Sequence, residues 1–337
     1  MWRLTNQMCR DEPQETLPPT ALTAQSLVFH RPKSQVPITP ILTKAKLCSP
    51  TSRHFKGGVA VRPACGFFSC VLPFFTLSHV PKMVSNQDMN KHREPGCTGV
   101  TADKKYYEVG NSFIKRTLRQ HEWMTTATNW TPSACLPQRW KTDAAILEYL
   151  REKTNIPLPH LQHTFEDDGA FYFSTELVPG VSMSQLTEEQ KQVVTKELLE
   201  HVATLKSLRS DHPGVPGQPL LCAPNRVHSR FWKHHTCWQP KPDIENGSYV
   251  FCHNDLGQHN VIVDPKTLKI NAIIDWEYGG FWPEWFEQPY WKRKGPSAPL
   301  KGEEDDKERC REWLLAHCAE VEMEHLPSLK EKLGGQS

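Results

Sequence analysis

Residues Val250–Gly280 read V-F-C-H-N-D-L-G-Q-H-N-V-I-V-D-P-K-T-L-K-I-N-A-I-I-D-W-E-Y-G-G. The pattern predicts a loop, a strand, a turn and a second strand. His253, Asp255 and Asn260 fall in the loop, Val261–Val263 is a short apolar run, and Asp264-Pro265-Lys266-Thr267 turns the chain into the run Ile270–Ile274. Asp275 then emerges at the end of the second run, beside the first loop. Two carboxylates and an amide therefore converge. The chemistry that such a set suits is phosphoryl transfer, because Mg²⁺ prefers hard oxygen ligands and takes one or two carboxylates together with substrate phosphates. Asp275 and Asn260 are the candidate metal ligands. Asp255 is left to accept a hydroxyl proton and hold the acceptor oxygen in line.

Asn260 lies five residues after Asp255, the spacing of the H-x-D-x-x-x-x-N loop of kinase-fold enzymes, and Asp275 takes the place of the D-F-G aspartate. The pair C-H-N-D-L-G-Q-H-N-V and I-I-D-W-E-Y-G-G resembles the aminoglycoside phosphotransferase and choline kinase family, most nearly its short fungal members. The resemblance spans roughly Lys104 to Lys294 and includes Y-Y-E-V-G-N-S-F-I-K-R and F-E-D-D-G-A-F-Y-F-S-T-E-L-V-P-G. It implies an α+β, protein kinase-like fold with a small β-rich N-lobe and a larger helical C-lobe. It also implies ATP and Mg²⁺ as cofactors, a small-molecule hydroxyl as acceptor, and His253 as a brace or participant in the catalytic loop.

Outward from this stretch, Tyr106–Val109 and Ser112–Arg116 flank Gly110-Asn111, a two-residue hairpin turn. Strand alternation sends Lys115 and Arg116 to opposite faces; the resemblance selects Lys115 for the phosphates, so replacing Arg116 should hardly change nucleotide binding. A helix follows, with Thr142 as candidate N-cap and Ile146, Tyr149 and Leu150 at helical spacing, ending before Pro157. Asp143 matches the helix acid that pairs with the lysine, or is a first-turn carboxylate favoured by the helix dipole. Leu161–Phe165 and Ala170–Leu177 bracket Glu166-Asp167-Asp168-Gly169, a second hairpin. By resemblance, the backbone of Glu176 and Leu177 then meets the adenine edge. Thr187 and Gln190 form a capping box for a helix with Val194, Leu198, Val202, Leu205 and Leu208 as its buried stripe.

The 337 residues suffice for one two-lobed unit, divided as 104–178 for the nucleotide-binding N-lobe and 179–334 for the catalytic and acceptor-binding C-lobe. Forty basic against 38 acidic residues, net +2, argue against a nucleic-acid or anionic-membrane binder. Residues 1–82 are rich in Pro, Thr and Ser without period and read as a disordered extension or a gene-model artefact, dispensable for the fold. The apolar run Ala64–Leu77 is short of a membrane span and carries Pro73. Eleven cysteines without a C-x-x-C pair suggest reduced thiols in the cytoplasm.

Several features stand apart from the resemblance. His228, His234, His235 and Cys237 lack the second paired cluster that zinc requires. Trp282, Trp285, Tyr290 and Trp291 either line a pocket for an amine-bearing acceptor or pack the helical lobe, and packing is the reading preferred. Asp306–Leu326 reads as a final helix. Gly96 and Gly99 do not make a G-x-G-x-x-G loop, and no strand clearly leads into them, so the N-lobe looks truncated. That gap leaves a degenerate, non-catalytic kinase-fold binding protein as the alternative. A metal-dependent hydrolase built on His253, Asp255 and His259 lacks a further ligand cluster.

Overall fold

The computed structural model describes residues 91, 93–123, 131–231, 235–242 and 247–328. The segment 1–82, with its apolar run, lies outside them, as does His234. The N-terminal part of the described chain is an antiparallel sheet of β1 (Cys97–Val100), β2 (Lys104–Val109), β3 (Ser112–Thr117), β4 (Leu161–Asp167) and β5 (Ala170–Glu176), in the order β1-β2-β3-β5-β4. Helix α1 (Leu136–Lys153) is inserted between β3 and β4. The β4–β5 turn places Asp168 and Gly169 at φ +44° and +69°, the paired left-handed residues of a type I′ hairpin.

After β5 the chain passes through Leu177–Gly180 into β6 (Val181–Ser182) and then α2 (Glu188–Ser207), β7 (Arg209–Ser210), α3 (Asn225–Phe231) and β8 (Thr236–Pro240). The decisive stretch follows as β9 (Tyr249–Cys252), β10 (Val261–Val263) and β11 (Ile270–Ile273), then β12 (Gly280–Trp282), α4 (Lys307–His317) and β13 (Cys318–Glu322). β10 pairs antiparallel with β11 and with β6, which ties the loop Cys252–Asn260 to the segment that follows β5. The capping box forms as its residues require: the Thr187 hydroxyl accepts from Gln190 N at 3.3 Å and Gln190 Oε1 from Thr187 N at 3.0 Å. Val194, Leu198, Val202 and Leu205 face the core with Trp276, Phe251 and Phe281. This is a two-lobed α+β architecture, and no helix of the described residues is long and apolar enough to cross a membrane.

Three expectations need correction. First, β1 supplies the strand that the N-lobe seemed to lack, so the sheet is complete at five strands. Its short, mixed sequence Cys97-Thr98-Gly99-Val100, with a register irregularity between Cys97 and Gly99, hides it from pattern reading. Second, α1 begins at Leu136, with Pro137 in the first turn; Thr142 is buried in its interior and caps nothing. Asp143 therefore lies far from the helix N-terminus, and the dipole reading falls. Third, the C-lobe mixes short strands with helices, and the final helix stops at His317. Cys318–Glu322 pairs with Thr236–Pro240, and long-range pairing overrides a local spacing that fits a helix. Trp282, Tyr290 and Trp291 are buried, and Trp282 stacks on Phe286, in line with the preferred packing reading.

The outer face of the sheet carries a buried ionic network. Arg116, with a 2% exposed side chain, binds Glu122 at 2.6 and 2.9 Å, Glu94 at 2.9 Å and the Tyr107 hydroxyl. Lys105 binds Glu122 at 2.8 Å. Burial would raise the Glu122 carboxyl, but the hydrogen bonds from Arg116 and Lys105 outweigh it and hold it at about 2. A folded pKa below the unfolded 4.5 adds stability above that pH, lost as pH falls through the folded value. Glu122→Gln should therefore cost on the order of 2–3 kcal/mol near neutrality, between exposed and fully buried pairs. Thermal melts of both proteins should converge as the pH drops from about 4.5 toward 2; a constant difference would refute the charge origin.

Candidate active site

The loop Cys252–Asn260 is held by its own histidine. His253 is fully buried; its Nδ1 accepts from Asp255 N at 3.2 Å, so Nε2 carries the proton and donates to Ile274 O at 3.0 Å. Burial lowers its pKa, which keeps that neutral tautomer. Both ring nitrogens are committed, so His253 positions the loop and is free neither for proton transfer nor for a metal. The hydrolase reading loses a ligand by this fact. Glu287, half-buried, accepts from His253 N and from Asn254 N at 3.2 Å. Asn254 (φ +66°) and Asp275 (φ +68°) are both left-handed, a strain of roughly 1–3 kcal/mol each that the surrounding contacts must hold.

Asn260 Nδ2 donates to Asp255 O at 2.8 Å and Asp255 Oδ2 at 3.1 Å, and Asn260 O accepts from Ile274 N at 3.0 Å. The amide nitrogen faces Asp255, so the side-chain oxygen turns the other way. Burial and the nearby Asp275 charge push the Asp255 carboxyl up to about 6. Lys115 Nζ lies 2.5 Å from Asp275 Oδ1 and 3.4 Å from Asp143 Oδ2. Burial would raise Asp275, yet the Lys115 and Lys104 ammoniums outweigh it and hold the carboxyl well below the usual range. Asp143, almost fully buried, is pushed up to about 7 by burial, with Lys115 opposing.

A magnesium ion fits this donor set. The oxygen of Asn260 and the partly exposed carboxylate of Asp275 are hard ligands, and few protein ligands leave room for phosphate oxygens. No cluster of three His, Cys, Asp or Glu capable of holding a metal exists among the described residues, so the site is not an all-protein cage.

Two cavities border this cluster, one at Lys115 and Asp275 and the other at Asp255. One, with an empty volume of about 790 Å³, runs from Lys115, Asp143 and Asp275 along Phe173 to Leu177 and Val178. The resemblance assigned the adenine edge to Glu176 and Leu177. Their N–H groups instead bind His160 O and Asn111 O, each at 2.9 Å. Glu176, Leu177 and Val178 all line the cavity, and the Val178 N–H, without a hydrogen-bond partner among the described residues, is a further donor there. The second cavity, about 1080 Å³ and more polar, is lined by Asp103, Lys104, Arg139, Asp255, Glu277 and Ser297.

Lys104 was missed by pattern reading. It opens β2 just after the tight turn Thr101–Asp103. Its Nζ lies 3.6 Å from Glu277, which also accepts from Trp140 Nε1 at 3.1 Å. The doublet Lys104-Lys105 shows only that one lysine faces inward.

Comparison with known proteins finds chains similar to this one. Residues 132–287 match the sequence model of the phosphotransferase enzyme family, a span that takes in α1 with Asp143, the catalytic loop and Asp275. Over 166 residues the chain is 24% identical to an aminoglycoside 3'-phosphotransferase of Streptomyces fradiae, covering 40% of this chain and 56% of that protein; the chain thus spans about half the length of this relative. Among solved structures, an aminoglycoside-3'-phosphotransferase of type VIII is 18% identical, with 58% of this chain and 78% of that one covered and a TM-score of 0.36. The aminoglycoside phosphotransferase APH(3'')-Id of Streptomyces rimosus is 16% identical, with 55% and 72% covered and a TM-score of 0.37.

Proposed function

We propose that this protein transfers the γ-phosphoryl group of ATP, with Mg²⁺, to a hydroxyl of a small molecule. The observation that carries this reading is the convergence of Lys115, Asp275, Asn260 and Asp255, with one cavity bordered by Lys115 and Asp275 and another by Asp255. The nucleotide lies in the first cavity, with its adenine edge at Val178 N–H and its α- and β-phosphates at Lys115. Lys115 then exchanges its bond to Asp275 for the phosphates, and Asp143 keeps the ammonium in place. Asp275 and the Asn260 oxygen hold the metal, which when bound neutralises the phosphate oxygens. Asp255 orients the acceptor hydroxyl from the second cavity and takes its proton as the oxygen attacks. Asp103, Asp255 and Glu277 on that cavity are matched by Lys104, Arg139, Arg226 and Lys307, so its charge alone selects neither an amine-bearing nor an anionic acceptor. Buried cysteines without disulfides suit the reducing cytoplasm.

Lys104 takes over what a glycine-rich loop would do. A loop of backbone amides is replaced by one ammonium reaching in from β2, and Lys104→Ala should weaken Mg·ATP binding by roughly tenfold, about 1.4 kcal/mol. Calorimetric titration reads this directly, and unchanged affinity would exclude the role. The turn Thr101–Asp103 favours a second reading, a fold that binds nucleotide without transfer. Thermal shift with ATP and Mg²⁺, together and apart, tests the shared premise: a shift that requires both supports a metal–nucleotide site, and no shift removes it.

A further inference from the structure

The catalytic aspartate already faces a hydroxyl from its own chain. Ser297 lines the second cavity together with Asp255. Its Oγ is buried, forms no well-angled hydrogen bond among the described residues, and lies 3.0 Å from where a Cβ on Gly257 of the catalytic loop would stand. The hydroxyl is close enough to Asp255 to oppose the rise in that carboxyl's pKa. A serine with a purely local role would donate to a nearby carbonyl, as Ser210 does to His212 O at 2.7 Å. Ser297 has no such bond.

The segment around it is built to present that side chain. Arg293 Nη1 donates to Pro296 O at 2.9 Å and Nη2 to Ala298 O at 2.7 Å, the two carbonyls on either side of Ser297. The same guanidinium is clamped by Glu303 at 2.5 and 2.8 Å, and Glu303 also accepts from Leu300 N at 2.9 Å. Gly295 turns the chain into this loop at φ +118°, a conformation that glycine alone adopts readily. The backbone carbonyls point to Arg293, and Ser297 Oγ is left toward Asp255.

We propose that Ser297 is an intramolecular phosphorylation site, the hydroxyl that receives the γ-phosphoryl group when no small-molecule acceptor fills the second cavity. The inference rests on the phosphotransferase reading above. Ser297 Oγ attacks the γ-phosphorus, a new Oγ–P bond forms as the bond from phosphorus to the bridging oxygen of ADP breaks, the hydroxyl proton passes to Asp255, and ADP leaves. Because Ser297 lies in the acceptor cavity, a phosphoserine there adds negative charge beside Asp255 and Glu277 and obstructs the acceptor.

The full chain is incubated with Mg·ATP carrying a labelled γ-phosphate and no acceptor, and label per chain is followed by intact mass and peptide mapping. The expected result is one phosphoryl group per chain, on Ser297, with a rate constant independent of protein concentration. Ser297→Ala should remove the label and keep the Mg·ATP thermal shift. Arg293→Gln, which touches neither nucleotide nor loop aspartate, should keep that shift and slow labelling by roughly tenfold or more, as expected for a misplaced reactant. A protein that binds Mg·ATP and phosphorylates an added alcohol yet stays unlabelled overturns the inference alone. So does label that persists in Ser297→Ala, or a rate that rises with protein concentration. Absence of any Mg·ATP binding overturns the phosphotransferase reading and this inference with it.

Discussion

Asp275→Ala should abolish Mg²⁺-dependent nucleotide binding, while Asp255→Asn should retain that binding and lose turnover by a factor of roughly 10² or more. The two carboxylates belong to one site but differ in surroundings. Asp275 sits between Lys115 and the cavity, held ionised by the lysines, and an ion with few protein ligands depends on each of them. Asp255 has its Oδ2 bound by Asn260 and its raised pKa suits a group that takes a proton. Asn260 should matter less to the metal than Asp275, because its oxygen is neutral. Titration of Mg·ATP into both variants, followed by single-turnover transfer, separates the roles. Equal loss of nucleotide in the two variants would show that both carboxylates hold the metal.

The adjacent residues Lys115 and Arg116 should fail in opposite ways. Lys115→Ala removes the charge-assisted contact to the phosphates and should weaken Mg·ATP by roughly 10- to 100-fold, about 1.5–3 kcal/mol. Arg116 lies on the far face, so Arg116→Ala should leave nucleotide affinity nearly intact at temperatures where the protein is folded. Its cost falls on stability. Removing one member of a buried ion network leaves Glu122 and Glu94 without their main partner, a loss of about 3–5 kcal/mol. Strand alternation alone makes Arg116 look expendable; the network around it does not. Melting curves with and without Mg·ATP distinguish the two. A nucleotide shift lost in Arg116→Ala but kept in Lys115→Ala would move the cleft to the other face of β3.

What the sequence made legible follows from locality. His253, Asp255, Asn260 and Asp275 lie within one short stretch, so a loop and a hairpin are enough to bring them together. The hairpins at Gly110-Asn111 and Asp168-Gly169, and the capping box at Thr187, carry turn and cap chemistry in adjacent residues. Features set by distant partners were not legible. β13 fits a helix until β8 is beside it. The N–H groups of Glu176 and Leu177 look open until His160 and Asn111 are seen to accept from them. Lys104 needs Glu277, and Ser297 needs the Arg293 clamp, before either acquires a role. Only the start of α1 was a missed local signal, since Pro137 marks it.

The central claim is that nucleotide binding here ends in transfer to a small-molecule hydroxyl. The most direct measurement is ADP formation by the full chain with Mg·ATP across a panel of alcohols, including amine-bearing ones, beside Asp255→Asn. The account predicts sustained, acceptor-dependent ADP formation that needs Mg²⁺ and falls by roughly 10² or more in the variant. Metal-dependent binding of ATP with no acceptor-dependent ADP from any alcohol, or equal ADP formation by Asp255→Asn, would contradict it.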